Sequence, residues 1–260
     1  IALLDHARRR GAGPLARHVA IAWDGAGWRA ASPPAADPLV GVDALLARLH
    51  ANVAAFLAQR PAHATLLYGP RGSGKSTAVR GLLARFAGEG LRSLEVGADL
   101  GALPRALAAL GPWPYPTLLV LDDLAFEEGE RGYRPLRSLL EGGLRGLPPR
   151  VLVIATSNRR HLVREQLRDR PDPLDDDVHA WDTHHERLAL ADRFGLVLTF
   201  PRVDRDRYLV LVEALARAAA VELAADWSVD AIRFAERGNG YAGRTARQYV
   251  TELAQRAASG

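Results

Sequence analysis

Apolar positions change their rhythm along the chain. Between Pro61 and Pro201 five short apolar runs, Thr65–Tyr68, Leu91–Val96, Thr117–Leu121, Val151–Ala155 and Leu196–Phe200, recur with helical segments between most of them. That alternation predicts an α/β fold, a parallel sheet sandwiched by helices. Upstream, Leu45, Leu46, Leu49, Val53, Phe56 and Leu57 recur at helical spacing within Val42–Gln59 and predict an amphipathic helix that Pro61 stops. After Pro201 the pattern is helical only, over Asp204–Val221, Ser228–Glu236 and Gly243–Ala257, broken at Ala224-Ala225-Asp226 and Gly238-Asn239-Gly240. This predicts a small C-terminal all-helical domain. At the other end, a short basic helix to about Arg10 is followed by the runs HVAIAW and WRAAS around an Asp-Gly/Ala-Gly turn, a hairpin signal, and Ser32-Pro33-Pro34 marks a boundary. The expected domains are an N-terminal appendage over 1–37, an α/β domain over 38–201 and a helical domain over 202–260. Val163–Thr183 has no sustained period and two prolines, and is expected to be a mobile loop.

Composition narrows the class. A length of 260 residues with 48% hydrophobic and 25% charged positions is that of a globular chain, large enough for one big domain or a core with a satellite. No uncharged apolar run reaches the roughly 18 residues of a membrane span. The longest candidate, Ala106–Leu121, is interrupted by Gly111, Pro112, Pro114 and Pro116. Ile1–Gly13 carries no signal-peptide pattern, so the reading is a soluble, cytoplasmic protein without a membrane span. The absence of cysteine excludes disulfides, thiolate zinc sites and cysteine nucleophiles. A net charge of +4 permits a nucleic-acid surface without demanding one. Of the 34 basic residues only Lys75 is a lysine, which makes its position informative.

That lysine stands in Gly69-Pro70-Arg71-Gly72-Ser73-Gly74-Lys75-Ser76-Thr77, which fits the phosphate-binding loop (Walker A) pattern of glycine, four residues and Gly-Lys-Ser/Thr. It follows the strand TLLY and precedes the helix TAVRGLLARF, where the mechanism needs it. Glycines let backbone N–H groups cradle phosphates, and the helix N-terminus adds partial positive charge. Lys75 neutralises β- and γ-oxygens, and the Ser76 hydroxyl can reach Mg²⁺. The implied cofactors are ATP and Mg²⁺. The run Thr117–Leu124 is an apolar strand ending in Asp122 and Asp123. In a parallel sheet its C-terminal end lies beside the phosphate loop, so Asp122 can hold the metal and Asp123 can orient or deprotonate water. Glu127 or Glu128, one helical turn on, could serve as the base instead, and a solvated Asp pair at a strand end is the plain alternative. The strand VLVIA runs into Asn158, whose amide could bond both the γ-phosphate and the water, or merely cap a turn.

The order of these blocks, with ADRFGL and GRTARQ behind them, resembles the AAA+ superfamily of ATPases. The runs PLVGVDALLARLHANVAAFLAQRPAHATLLYGPRGSGKST, LDDLAFE, YRPLRSLLEGG, VLVIATSNRRHL and ERLALADRFGLVLTF are similar to the bacterial ATP-binding family known as domain of unknown function 815. The likeness extends over Leu39–Gln248 and implies an AAA+ core with a helical lid. It also implies roles for further residues. Arg193 matches an arginine finger that reaches a neighbour's γ-phosphate in trans, and hence a homo-oligomer. Arg244 matches the lid arginine called sensor 2, and Leu39, Val40 and Gly41 match the segment beside adenine. Without the resemblance, Arg193 reads as a surface ion pair with Asp192 or Asp204, and Arg244 as an exposed cation set against a helix dipole.

Other features carry less. His161, His179, His184 and His185 do not converge on one metal by spacing, Asp172–Asp177 reads as a solvated acidic loop, and it offsets the basic stretch Arg159, Arg160, Arg164, Arg168 and Arg170. Trp23 and Trp28 could stack bases, although packing against the core is the ordinary use of tryptophan. The leading expectation is a Mg-dependent ATPase that remodels or loads a protein or nucleic-acid partner. The alternative is a nucleotide-dependent binding module or switch with little hydrolysis. A small-molecule kinase is disfavoured, because the C-terminal part forms a helical domain without an evident acceptor pocket.

Overall fold

The computed structural model describes residues 18–32, 36–96, 100–110, 115–124, 133–141, 147–148, 150–158 and 192–259. In chain order these form β1 (Ala20–Trp23), β2 (Trp28–Ala31), α1 (Asp43–Leu57), β3 (Thr65–Tyr68), α2 (Lys75–Phe86), β4 (Arg92–Val96) and α3 (Leu103–Leu110). They continue with β5 (Thr117–Leu121), α4 (Tyr133–Leu140), β6 (Val151–Ser157), β7 (Leu196–Thr199), α5 (Arg205–Ala218), α6 (Trp227–Arg237) and α7 (Gly243–Ser259). The basic helix near Arg10, Pro33-Pro34, the 163–183 loop, all four histidines from His161 to His185, the acidic and basic clusters around them, and Glu127 and Glu128 lie outside the described residues.

The seven strands make one sheet in the order β2-β1-β4-β5-β6-β3-β7. Every pairing is parallel except β1 with β2. A sheet buried on both faces needs strands that are apolar on both, and β6 meets this with all seven residues buried. Alternate positions sort into two cores. Leu66, Leu94, Leu119 and Val153 point to one face, where Leu103 and Ala106 of α3 and Leu136 and Leu139 of α4 cover them. Leu67, Leu118, Leu152 and Ile154 point to the other, under Leu49 and Val53 of α1 and Val79, Leu82 and Phe86 of α2. Each fully buried leucine contributes about 1.5–3 kcal/mol. The phosphate-loop strand β3 therefore sits between β6 and β7, and β5 lies one strand further away.

The last three helices pack on a core of their own, around Tyr208, Leu211 and Val212 of α5, Ala231 and Ala235 of α6, and Ala246 and Tyr249 of α7. Alanines at these contacts let the helices approach closely. Asp204 caps α5 by accepting from the Arg207 N–H at 2.9 Å. The Tyr208 hydroxyl donates to the Ala231 carbonyl at 3.1 Å, and burial pushes this phenol well above the usual tyrosine range. Among the described residues no helix is long and apolar enough to cross a membrane.

The hairpin expected within an N-terminal appendage instead continues the central sheet. β1 lies parallel to β4 in the register Ala20↔Ser93 to Trp23↔Val96. The physical reason is that β4 would otherwise end the sheet with unpaired backbone groups. Ala20 and Ile21 are buried there. Trp23 and Trp28 meet edge to face at 5.3 Å, pack against the core on the α3 side, and Trp28 Nε1 donates to the Ala106 carbonyl at 3.1 Å. Trp28→Ala is expected to destabilise the protein by about 2 kcal/mol, and Trp28→Phe by less. The measurement is the urea midpoint followed by far-UV circular dichroism; an unchanged midpoint would show that the hairpin folds apart from the sheet.

Candidate functional site

After Tyr68 the backbone turns through three glycines in the left-handed region, Gly69 (φ 154°), Gly72 (φ 74°) and Gly74 (φ 103°). Each also leaves room for a neighbour. A Cβ on Gly69 would lie 2.4 Å from the Phe200 carbonyl oxygen, on Gly72 2.6 Å from Ala242 Cβ, and on Gly74 2.5 Å from Leu39 Cδ2. Helix α2 starts immediately afterwards. Its N-cap is Gly74, no side chain caps it, and its first turn holds no acid, so its leading N–H groups and dipole face the loop without compensation.

Lys75 is buried, and its ammonium donates to the carbonyls of Gly69 (2.7 Å) and Pro70 (2.8 Å) and to Asn158 Oδ1 (2.9 Å). Burial lowers its pKa below the usual lysine value, against the opposing pull of Asp123 and Asp122. Asn158 passes the contact on, since its Nδ2 donates to Asp123 Oδ1. Asp122 accepts from the hydroxyls of Ser76 (2.8 Å) and Thr156 (2.6 Å). The Asp123 N–H donates back to Thr156 Oγ1 at 2.9 Å, and Asp123 adopts a left-handed φ of 54°. Thr156 was missed by the sequence reading. It is the polar residue two positions before Asn158, hence on the same strand face, and that spacing was the available signal.

These groups line one cavity of about 820 Å³. Of the expected site residues, Leu39, Val40, Arg71 to Thr77, Asp122, Asp123, Asn158 and Arg244 border it. Gly69 and Pro70 lie behind it as acceptors for Lys75, and Gly41 lies outside, its carbonyl taken by Arg207. The apolar part of the lining comes from Leu39, Val40, Val42, Val203, Leu211 and Leu215, with Val40 packed against the core of the helical bundle. Arg247 Nε bonds Asp37 Oδ2 at 2.7 Å, and the Gly243 N–H donates to the Gly72 carbonyl at 3.0 Å, so the helical bundle is joined to the loop directly. Arg244 is exposed at the start of α7 and has no ion-pair partner among the described residues. Arg193 does not border the cavity; its guanidinium pairs with Glu141 at 3.0 Å, neither with Asp192 nor with Asp204.

The donor set is suited to a phosphorylated ligand. Ser73 Oγ, Arg80 Nε and Thr245 Oγ1 are buried without a hydrogen-bond partner, and all three residues border this cavity. Ser76 and Asp122 supply the hard oxygens that Mg²⁺ takes together with phosphate and water. Among the described residues no group of three or more His, Asp or Glu could hold a metal by itself.

The model of the family described as Protein of unknown function (DUF815) matches residues 16–257. The chain belongs to this family. No curated protein matches this DUF815 chain. Among solved structures its fold is similar to RuvB of Thermotoga maritima, described as a Holliday junction branch migration motor, with a TM-score of 0.53 at 15% identity over 80% of this chain and 60% of that one. Two mutants of that RuvB give TM-scores of 0.56 and 0.57 at 16% identity, over 82% and 85% of this chain and 62% and 65% of theirs. The DUF815 chain thus spans about three fifths of the length of the structures it matches, and the likeness is one of fold, that of the AAA+ ATPases.

Thr156→Val keeps the shape of the side chain and leaves the Asp123 N–H without its acceptor. The expected cost is about 1–3 kcal/mol, read from urea denaturation, with Thr156→Ser close to wild type. Equal stability of Val and Thr at this position would contradict the structural role of the hydroxyl.

Proposed function

We propose that this protein is a Mg-dependent ATPase of AAA+ type that uses ATP binding and hydrolysis to move its C-terminal helical bundle, as a lid, against the sheet domain. The observation that carries the reading is the chain of contacts from Lys75 through Asn158 to Asp123, set beside an uncapped helix start and the Ser76–Asp122 contact. Nucleotide phosphates would take the place of the Gly69 and Pro70 carbonyls as partners of Lys75. Ser76 and Asp122 would hold Mg²⁺, which when bound neutralises the phosphate oxygens and orients them. Asp123 is then the group nearest to hand to orient or deprotonate the attacking water, with Asn158 fixing its carboxylate. Leu39 and Val40 would pack on the base, and Arg244, unpaired at the rim, would contact phosphate from the lid.

Oligomerisation is part of the proposal. Arg193 lies outside its own cavity, about half exposed and tied to Glu141 at 3.0 Å, an arrangement that suits a finger serving a second copy. The work done would be remodelling or loading of a protein or nucleic-acid partner in the cytoplasm. One observation favours a second reading, a nucleotide-dependent switch with slow hydrolysis: Asp123 is one methylene shorter than a glutamate base and is already engaged by Asn158.

Lys75→Ala is expected to abolish ATP binding in a fluorescent-nucleotide titration, whereas Asp123→Asn should bind normally and turn over slowly. Normal hydrolysis by Asp123→Asn would move the base to Glu127 or Glu128. Loss of the Arg193 finger should lower turnover by about 10³-fold with affinity intact. Mixing inactive Arg193→Ala with inactive Lys75→Ala should restore part of the activity, because one supplies a pocket and the other a finger. Full activity of a monomeric Arg193→Ala protein in ATP would refute the trans assignment.

A further inference from the structure

The acidic side of the cavity is ordered down to single atoms. Two hydroxyls reach the Asp122 carboxylate, Ser76 Oγ at 2.8 Å and Thr156 Oγ1 at 2.6 Å, and both donate to the same oxygen, Oδ1. Oδ2 has no hydrogen-bond partner among the described residues, and Asp122 is exposed where it borders the cavity. Proton counting fixes the direction of these bonds. Thr156 Oγ1 already accepts from the Asp123 N–H at 2.9 Å, so its own proton is the one that bonds Asp122. Ser76 spends its proton on Oδ1 too. What Ser76 Oγ and Asp122 Oδ2 have left to offer is lone pairs, which is what a hard divalent cation takes.

Thr156 also shapes the turn that carries both aspartates. Leu121↔Ala155 is the last register pair of β5 and β6, so Thr156 stands beside Asp122. Val120 and Ile154, one alternation earlier, pack in the core under α2, and Thr156 therefore lies on the sheet face covered by the helix that holds Ser76. Its side-chain oxygen takes the Asp123 N–H and its main-chain carbonyl takes the Leu124 N–H at 2.7 Å. Two successive N–H groups delivered to one residue accompany the left-handed φ of 54° at Asp123. A buried side chain that only filled this space could be valine, and one that only held the turn could give its proton to any acceptor. This one gives it to the carboxylate that Ser76 shares, and two protons on one oxygen hold that carboxylate against rotation about its last bond.

We propose that Thr156 is a positioning residue for the divalent cation: by engaging Asp122 Oδ1 and the main chain of Asp123 with one hydroxyl, it presents Asp122 Oδ2, together with Ser76 Oγ, as the oxygens that take the ion. The inference rests on the Mg-nucleotide reading of the cavity and adds to it a residue that touches neither nucleotide nor metal.

The test reads how a divalent cation changes ADP binding, with a fluorescent ADP titrated in EDTA and across a range of Mg²⁺ concentrations on wild type, Thr156→Val and Thr156→Ser. In wild type Mg²⁺ should tighten binding. Thr156→Val should match wild type in EDTA and need roughly tenfold to a hundredfold more Mg²⁺ for the same tightening. Thr156→Ser, which keeps the hydroxyl, should stay near wild type. The electron paramagnetic resonance signal of free Mn²⁺, recorded with protein and ADP, should rank the three proteins in the same order without any turnover. Circular dichroism checks that each variant is folded, and Thr156→Ala takes the place of Val if Val is not. A purely structural hydroxyl would weaken ADP equally in EDTA and in Mg²⁺, and that result overturns the proposal. So does a folded Val or Ala variant whose Mg²⁺ requirement equals that of wild type, which defeats this inference alone. Wild-type protein that binds ADP without responding to either ion defeats the metal reading and this inference together, and wild-type protein that binds no ADP defeats the nucleotide reading as well.

Discussion

One turn of backbone has no side chains at the three places where other parts of the molecule touch it. Gly69 admits the end of β7 at Phe200, Gly72 admits the bundle at Ala242, and Gly74 admits, at Leu39, the strap formed by residues 37–42 ahead of α1. A methyl group at any of them would meet a heavy atom at 2.4–2.6 Å, closer than packed atoms come. The glycines therefore do more than free the backbone to face phosphate. They let the sheet, the strap and the helical bundle converge on a single loop, and the cavity is the space left between those three arrivals.

Within that space charge is handled by sharing. The ammonium of Lys75 places its three protons on two carbonyls of its own loop and on Asn158, which keeps a buried cation satisfied. The two aspartates are tied to one threonine, whose hydroxyl donates to the Asp122 carboxylate and accepts from the main chain of Asp123, while the Asp123 carboxylate accepts from Asn158. Since β6 lies between β3 and β5, its end carries both Thr156 and Asn158, and each reaches across to a neighbouring strand's chemistry. Lys75 is thus engaged by internal acceptors, whereas the start of α2 has no side-chain cap and no acid in its first turn.

Much of this was legible along the chain because it is local. The run TLLY followed by GPRGSGKST carries a strand, a turn and a helix start within neighbouring residues, and LDDL puts its carboxylates at a strand end. The helical periods after Pro201 likewise matched α5, α6 and α7 to within a few residues. What escaped is what joins distant segments. The clamp from Arg207 to the Gly41 carbonyl spans 166 positions and that from Arg247 to Asp37 spans 210, and no periodicity announces either. The docking of β1 on β4 is of the same kind: its short apolar alternation fits any open sheet edge, and only the fold decides which edge is open. Arg193 found Glu141 instead of a nearer aspartate for the same reason, since the end of α4 comes close to it in space and not in sequence.

The seam between loop and bundle has a consequence for how such a protein can vary. It is made by the Gly72 carbonyl and the Gly243 N–H, main-chain atoms on both sides. Substitutions elsewhere on the bundle surface can refashion its outer face for new company while this joint persists, because no side chain needs to be retained for it to form. A proline at position 243, which removes the N–H, breaks it at a stroke, as does a bulky residue at position 72 or 242, which wedges the surfaces apart. The coupling is thus indifferent to most mutational drift, and the exposed face of the bundle is free to diverge without disconnecting it from the glycine-rich loop.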